Sequence, residues 1–232
     1  MKKNRNIFIA CDTTSVAKVR KIIKQTQTNK KIGYTIGIKV GLEFILSRNG
    51  RNFISKIKNK KFPIFVDAKL CDIDNTMKSA VIALKDLKIN YLTVHISSGL
   101  SALKAVKKVS GKIKIVGVST LTSFDNKKLK ETFGYNKTVK SLVVHQAKLA
   151  SKANLDAFVT SAHEVPYIKK IFKKEIITPG IRMLGDKTND QKRIMTPKNA
   201  FKNGASSIVV GRSITAQGNI KNKLNKLINS LK

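Results

Sequence analysis

Asp67, Lys69 and Asp72 fall within six residues, directly after the apolar run Pro63-Ile64-Phe65-Val66. The run reads as a buried strand. Residues two apart on a strand share a face, so Asp67 and Lys69 point the same way as the strand ends. A carboxylate beside an ammonium at a partly dry strand end costs desolvation free energy unless the two are paired or put to use. Two readings stay open on these residues alone. One is a structural ion pair followed by a helix N-cap. The other is a working pair of charged groups at a functional site.

A second group reads as a phosphate grip. Ser207-Ile208-Val209-Val210 is a strand, followed by Gly211, Arg212 and the start of a helix. Glycine allows close backbone approach, a helix start offers free N–H groups, and arginine supplies a forked cation. The alternative is a turn with a surface arginine. Upstream, the segment from Arg182 to Arg193 is polar and lacks apolar periodicity. It reads either as a surface loop or as a lid that closes over a phosphate with Gln191 reaching inward.

These groups need a frame. Apolar runs at Ile7–Cys11, Tyr34–Ile38, Tyr91–Val94, Ile113–Val118, Ala157–Val159 and Ile176–Ile177, with the two already described, give eight strand candidates. Helical patterns separate nearly all of them, including Val16–Lys24, Leu42–Arg48, Asn75–Leu87, Ser101–Val109, Lys127–Thr132, Thr138–Lys152 and Ile214–Leu231. The first five strands end at Asp12, Lys39, Asp67, His95 and Thr122, at intervals of 27, 28, 28 and 27 residues. An even beat of this kind predicts one α/β domain over residues 1–232, a single (β/α)8 TIM barrel. A doubly wound open sheet is the other fold considered. In a barrel, reactive groups gather at the carboxyl ends of the strands. Asp12, Lys39, Asp67, Lys69 and Thr122 would then converge with Asp72, the opposite charges holding one another ionised.

Composition narrows the function classes. The 232 residues include 47 Lys plus Arg against 13 Asp plus Glu, a formal net charge of +34. Such an excess attracts phosphates and nucleic acid. The lysines are scattered rather than gathered in an arm, however, and the abundance of Lys, Asn and Ile also fits an AT-rich coding sequence. Aromatic content is 6% with no Trp, so base-stacking platforms are poorly supplied and no specific nucleic-acid partner is expected. The two cysteines, Cys11 and Cys71, form neither a disulfide framework nor a zinc motif and suit a reducing cytosol. The run Ile7–Cys11 is shorter than the roughly seven apolar residues a signal peptide needs. Nor does any run approach the roughly 18 apolar residues of a membrane span, so the expected location is cytoplasmic. There is no metal-ligand cluster, and no metal or cofactor is expected.

Taken together, the segments resemble the orotidine 5′-phosphate decarboxylase family. The resemblance runs in order from Asp12 to Arg212. It covers Asp67-Ala68-Lys69-Leu70-Cys71-Asp72-Ile73-Asp74-Asn75-Thr76, Leu121-Thr122-Ser123, Thr178-Pro179-Gly180-Ile181-Arg182, Asp190-Gln191-Lys192-Arg193 and Val210-Gly211-Arg212. The resemblance implies a cofactor-free conversion of orotidine 5′-phosphate to UMP in de novo pyrimidine biosynthesis. It implies Lys69 as proton donor to C6, Asp67 against the substrate carboxylate, and Asp12 and Lys39 on the ribose hydroxyls. Asp72 and Thr76 would reach into the partner's site of a homodimer, and Thr122 would contact the pyrimidine. Gln191 would bridge base and phosphate, and Gly211, Arg212 and Arg182 would complete the binding surface. One departure is Asp74, where the family usually has proline; an acid near a helix start is expected to act as cap or dipole partner.

Two other readings share parts of this pattern. One is a metal-dependent sugar-phosphate lyase or decarboxylase on the same barrel, which shares the Asp67-x-Lys69-x-x-Asp72 pattern. The other is a basic nucleic-acid-binding protein, suggested by charge alone. The histidines His95, His145 and His163 are read as structural.

Overall fold

The computed structural model describes residues 5–27, 33–57, 62–121, 123–186, 194–216 and 218–231. Within them lie eight strands: β1 (Arg5–Cys11), β2 (Tyr34–Gly41), β3 (Ile64–Leu70), β4 (Tyr91–His95), β5 (Lys114–Val118), β6 (Ala157–Val159), β7 (Glu175–Thr178) and β8 (Ser207–Val210). Each pairs in parallel with the next, and β8 closes on β1 through the register Asn6↔Ser207 to Ile9↔Val210. That last pairing makes the sheet a barrel and excludes the open doubly wound alternative.

Strand periodicity divides the apolar residues into two cores. On β1, Ile7, Ile9 and Cys11 face the surrounding helices, while Phe8 and Ala10 face the barrel axis. Along that axis Phe8 meets Phe65 and Tyr91 edge to face, with ring centroids 5.2 Å apart in both pairs. Gly37 makes room for Phe8, because a Cβ there would come within 2.7 Å of the Phe8 ring and 2.8 Å of the Pro63 carbonyl oxygen. Below the rings, Asn6 donates to the Tyr91 hydroxyl and to Ser207, and Tyr91 donates to Glu175, which also pairs with Lys114. This aromatic layer and its polar plug fill the barrel at the strand starts, and a cavity opens at the carboxyl ends.

Several helix boundaries differ from expectation, each for a local reason. Leu42–Arg48, expected as one helix ending at Asn49-Gly50, is a short helix Leu42–Ile45 followed by a second, Gly50–Lys56. Gly50 begins that second helix because the chain folds back on Phe44, whose carbonyl oxygen lies 1.6 Å from where a Cβ would sit. Asn75–Leu87 is α-helical over Asp74–Ala83 and then tightens into a 3-10 turn, Lys85–Leu87. The final helix is broken into Arg212–Thr215 and Ile220–Asn229, with Gly218 at φ +108° in between. The amphipathic helix expected over Thr138–Lys152 spans Val139–Lys152, with the Thr138 side chain capping it. Among the described residues, no helix is long and apolar enough to cross a membrane.

Candidate active site

The carboxyl ends of β1, β2 and β3 bring four charged side chains together. Lys69 Nζ lies 2.9 Å from Asp67 Oδ2, and Lys39 Nζ lies 3.2 Å from the same oxygen. Lys39 Nζ also sits 3.5 Å from Asp12 Oδ1. The order along the array is therefore Asp12, Lys39, Asp67, Lys69. Lys39 and Asp67 are mostly buried, the Asp12 side chain is 63% exposed, and the Lys69 side chain at 34% still reaches open space.

Lys69 does not follow simple strand alternation. The β3–β4 register shifts between Val66 and Leu70, and Lys69 adopts φ +48°, a left-handed conformation uncommon outside glycine. The Thr93 hydroxyl on β4 underlies this turn: it accepts from the Lys69 backbone N–H at 2.8 Å and donates to Asp67 Oδ1 at 3.0 Å.

Burial and charge compete across the array. Burial by itself would raise the Asp67 pKa, but Lys39 and Lys69 together outweigh it, and the carboxyl is held below its ordinary 3.8. Burial would likewise lower Lys39, but Asp67 and then Asp12 reverse it and raise the ammonium above its ordinary 10.5. By linkage, the stabilisation from Asp67 is full above its ordinary value and is lost as pH falls through the depressed folded value. That from Lys39 is full below its ordinary value and is lost as pH rises through the raised one. His95 is pushed down by burial, then by Lys69. Cys11, behind the array, is pushed up to about 12, chiefly by burial.

A cavity of about 260 Å³ opens above Asp67 and Lys69. Phe65, Val118, Val159 and Val209 form an apolar floor, and Pro179 and Gly180 border it. Arg182, Gly211 and Arg212 line it along with the array. Arg182 is buried and donates from Nη1 to the Ile181 carbonyl at 3.0 Å. Its strand-like segment is tied across the base of the polar loop by Arg182 N to Met195 O (3.0 Å) and Met195 N to Gly180 O (3.2 Å). Gly211 caps the four-residue helix Arg212–Thr215. A Cβ at Gly211 would make only ordinary contacts, 3.6 Å to Ala10 and 3.7 Å to Asp12, so the protein's own packing does not demand glycine there.

Thr122 and Gln191 lie outside the described residues. Asp72 and Thr76 are exposed and do not line this chain's cavity; Asp72 Oδ1 instead accepts from Ile73 N at 2.7 Å. Beside them Ile73 is 71% exposed. Asp74 starts the helix Asp74–Ala83, with Ile73 rather than Asp74 at the N-cap position, and its carboxylate accepts from the Ser101 hydroxyl on the next helix.

Several polar residues at the cavity went unread in the sequence. Thr120 lines it, held by Gln146, whose Oε1 accepts from Thr120 N at 2.8 Å and Thr120 Oγ1 at 3.1 Å. Thr160 also lines it and donates to the buried Glu164. Thr93 had one available signal: it stands two residues before the strand end at His95, on the face that His95 shares.

Regarding metals, the Lys39 ammonium already contacts both Asp12 and Asp67, the place a divalent cation bridging these carboxylates would take. Among the described residues, no group of three or more His, Cys, Asp or Glu side chains is arranged to hold a metal ion.

Comparison with known proteins agrees with this geometry. A family profile described as "Orotidine 5′-phosphate decarboxylase / HUMPS family" matches residues 5–227. Orotidine 5′-phosphate decarboxylases of Bacillus cytotoxicus and Bacillus mycoides are each 36% identical over 226 residues, covering 93% of this chain and 92% of theirs. The crystal structure of orotidine 5′-phosphate decarboxylase from Lactobacillus acidophilus superposes with a TM-score of 0.83 at 27% identity, covering 99% of this chain and 100% of that one. With the profile matching nearly its whole length, the chain belongs to the orotidine 5′-phosphate decarboxylase / HUMPS family.

Proposed function

We propose that this protein decarboxylates orotidine 5′-phosphate to UMP and CO2 in de novo pyrimidine biosynthesis, in the cytoplasm, without metal or organic cofactor. The observation that carries the reading is the Lys69 ammonium, held 2.9 Å from Asp67 at one part of a cavity that Gly211 and Arg212 also line.

The chemistry asks for such an ammonium. When the C6–carboxylate bond of the orotate ring breaks, the electron pair stays on C6, in the ring plane, where no neighbouring carbonyl can delocalise it directly. A fixed positive charge stabilises that pair as it forms, and Lys69 then transfers a proton from Nζ to C6. Solvent returns the proton to the amine after product leaves. Asp67, beside the departing carboxylate, holds Lys69 in place and disfavours a second anion at that spot. Asp12 and Lys39 take the ribose hydroxyls, and Thr122 and Gln191 the pyrimidine. Arg212, Arg182 and the backbone at Gly211 take the phosphate, whose binding energy acts on a carbon remote from it. In the metal-dependent sugar-phosphate rival, an ion would have to displace Lys39 from between Asp12 and Asp67.

Asp72 and Thr76 complete a partner's site in a homodimer. The support for this is that both are exposed next to apolar Ile73 and lie outside the cavity of their own chain.

The first test is the ultraviolet change when the purified protein meets orotidine 5′-phosphate in excess chelator. Turnover should persist, and Lys69→Ala should lose at least about 10²–10⁴-fold, the contribution of a positioned acid. Chelator-sensitive activity, or steeply salt-dependent RNA binding with no decarboxylation, contradicts the reading. Arg212→Ala should raise KM for the phosphorylated substrate and leave the slow rate on bare orotidine unchanged; an equal loss on both would remove the phosphate contact. Finally, Asp72→Asn and Lys69→Ala proteins, each nearly inactive alone, should recover part of the activity when mixed, through one intact site per hybrid dimer. Subunit exchange without recovery would place each site within one chain.

A further inference from the structure

Building on that reading, we infer that Thr93 is a positioning residue for the Lys69 proton donor, acting through a single hydroxyl that orients both Lys69 and the carboxylate that anchors it. Thr93 lies on β4, and Asp67 and Lys69 on β3. Its Oγ1 accepts from the Lys69 backbone N–H at 2.8 Å and donates a hydrogen bond to Asp67 Oδ1 at 3.0 Å. Asp67 Oδ2, the other carboxylate oxygen, is the one that contacts the Lys69 ammonium. One hydroxyl therefore fixes the donor's backbone and the plane of its counter-ion together.

Three features make this hydroxyl hard to replace. Thr93 is 1% exposed, so bulk water cannot supply the missing bonds if it is removed. Lys69 sits at φ +48°, a left-handed conformation uncommon for a residue other than glycine. The β3–β4 register is already shifted between Val66 and Leu70, so regular ladder bonding to β4 lapses at Lys69, beyond the last β2 pair Gly41↔Asp67. Without the hydroxyl, the Lys69 N–H loses its acceptor and the backbone is released toward common conformations. The Cα–Cβ direction then swings, and the ammonium leaves its place over the cavity. Asp67 at the same time loses the bond that sets its plane. A linked N–H···O–H···carboxylate chain also polarises each member, so both bonds weaken when the middle group is deleted.

The test compares wild type, Thr93→Val and Thr93→Ser. Valine nearly keeps the shape and removes the hydroxyl; serine keeps the hydroxyl. T93V should lower kcat about 10²-fold, as expected for a misplaced reacting group. Its KM and its UMP affinity and stoichiometry should stay within about twofold. Exchange of the UMP C6 hydrogen in deuterium oxide, which needs Lys69 to move a proton at that carbon, should fall in step with kcat. T93S should restore most of both rates. A merely structural role would lower kcat only in proportion to lost UMP-binding sites, and that outcome overturns the inference, as does a full-rate T93V or a serine variant as slow as valine. Should T93V not fold, Thr93→Cys carries the same comparison, since a thiol is a weak donor and acceptor. An inactive wild type overturns the functional reading and this inference with it; an active wild type beside a full-rate T93V overturns the inference alone.

Discussion

The Asp67 carboxylate, clamped between two ammonium groups at the mouth of the barrel, is the interaction on which the rest of the site depends. Taking one carboxylate and one ammonium out of water costs several kcal/mol per ion, and only close, well-oriented partners offset it. Asp67 meets that condition with Lys39 and Lys69 on one oxygen and Thr93 on the other. Remove the carboxylate and the two lysines repel each other across a partly dry cavity. Remove either lysine and a mostly buried carboxylate loses one of its two cations.

The barrel makes that arrangement rigid. Lys39 stands on β2, Asp67 and Lys69 on β3, and Asp12 just past β1, and beneath them Phe8 packs edge to face on Phe65 and Tyr91. Gly37 is small because Phe8 is large. The polar plug of Asn6, Tyr91, Lys114, Glu175 and Ser207 closes the opposite end. The cavity lies at the other end, and Asp12, Lys39, Asp67 and Lys69 all line it. The excess of positive charge, +34 over the chain, also favours the approach of a phosphorylated anion.

The sequence carried the architecture because a parallel barrel repeats: the expected strand ends at Asp12, Lys39, Asp67 and His95 recur every 27 or 28 residues. Asp12 directly follows β1 and His95 ends β4, while β2 runs on past Lys39 to Gly41 and β3 past Asp67 to Leu70. It also carried the pairing of Asp67 with Lys69 and the presence of Gly211 and Arg212 at the cavity. The left-handed Lys69 was hidden, since alternation assumes an unbroken strand and the shift in register is a property of two strands together. Thr93, and Gln146 behind Thr120, were hidden for a related reason. Their roles arise from hydrogen bonds to residues 24 to 26 positions away; beyond its place on the face of His95, Thr93 carries no local sign of them, and a glutamine inside a helix carries none. The helix starting at Gly50 was missed because Asn-Gly reads as a stop, whereas close contact with Phe44 makes that glycine a start.

If Asp67 is the anchor described, its own ionisation reports the clamp. The measurement is a carbon-13 NMR titration of aspartate carboxyl groups, with the Asp67 signal assigned by its loss in Asp67→Asn. The expected result is a midpoint below the ordinary aspartate value of 3.8, moving upward when Lys39 is replaced by Met. A midpoint at or above 3.8 in the wild-type protein, unmoved by that replacement, would contradict the account, because burial would then prevail over the two cations.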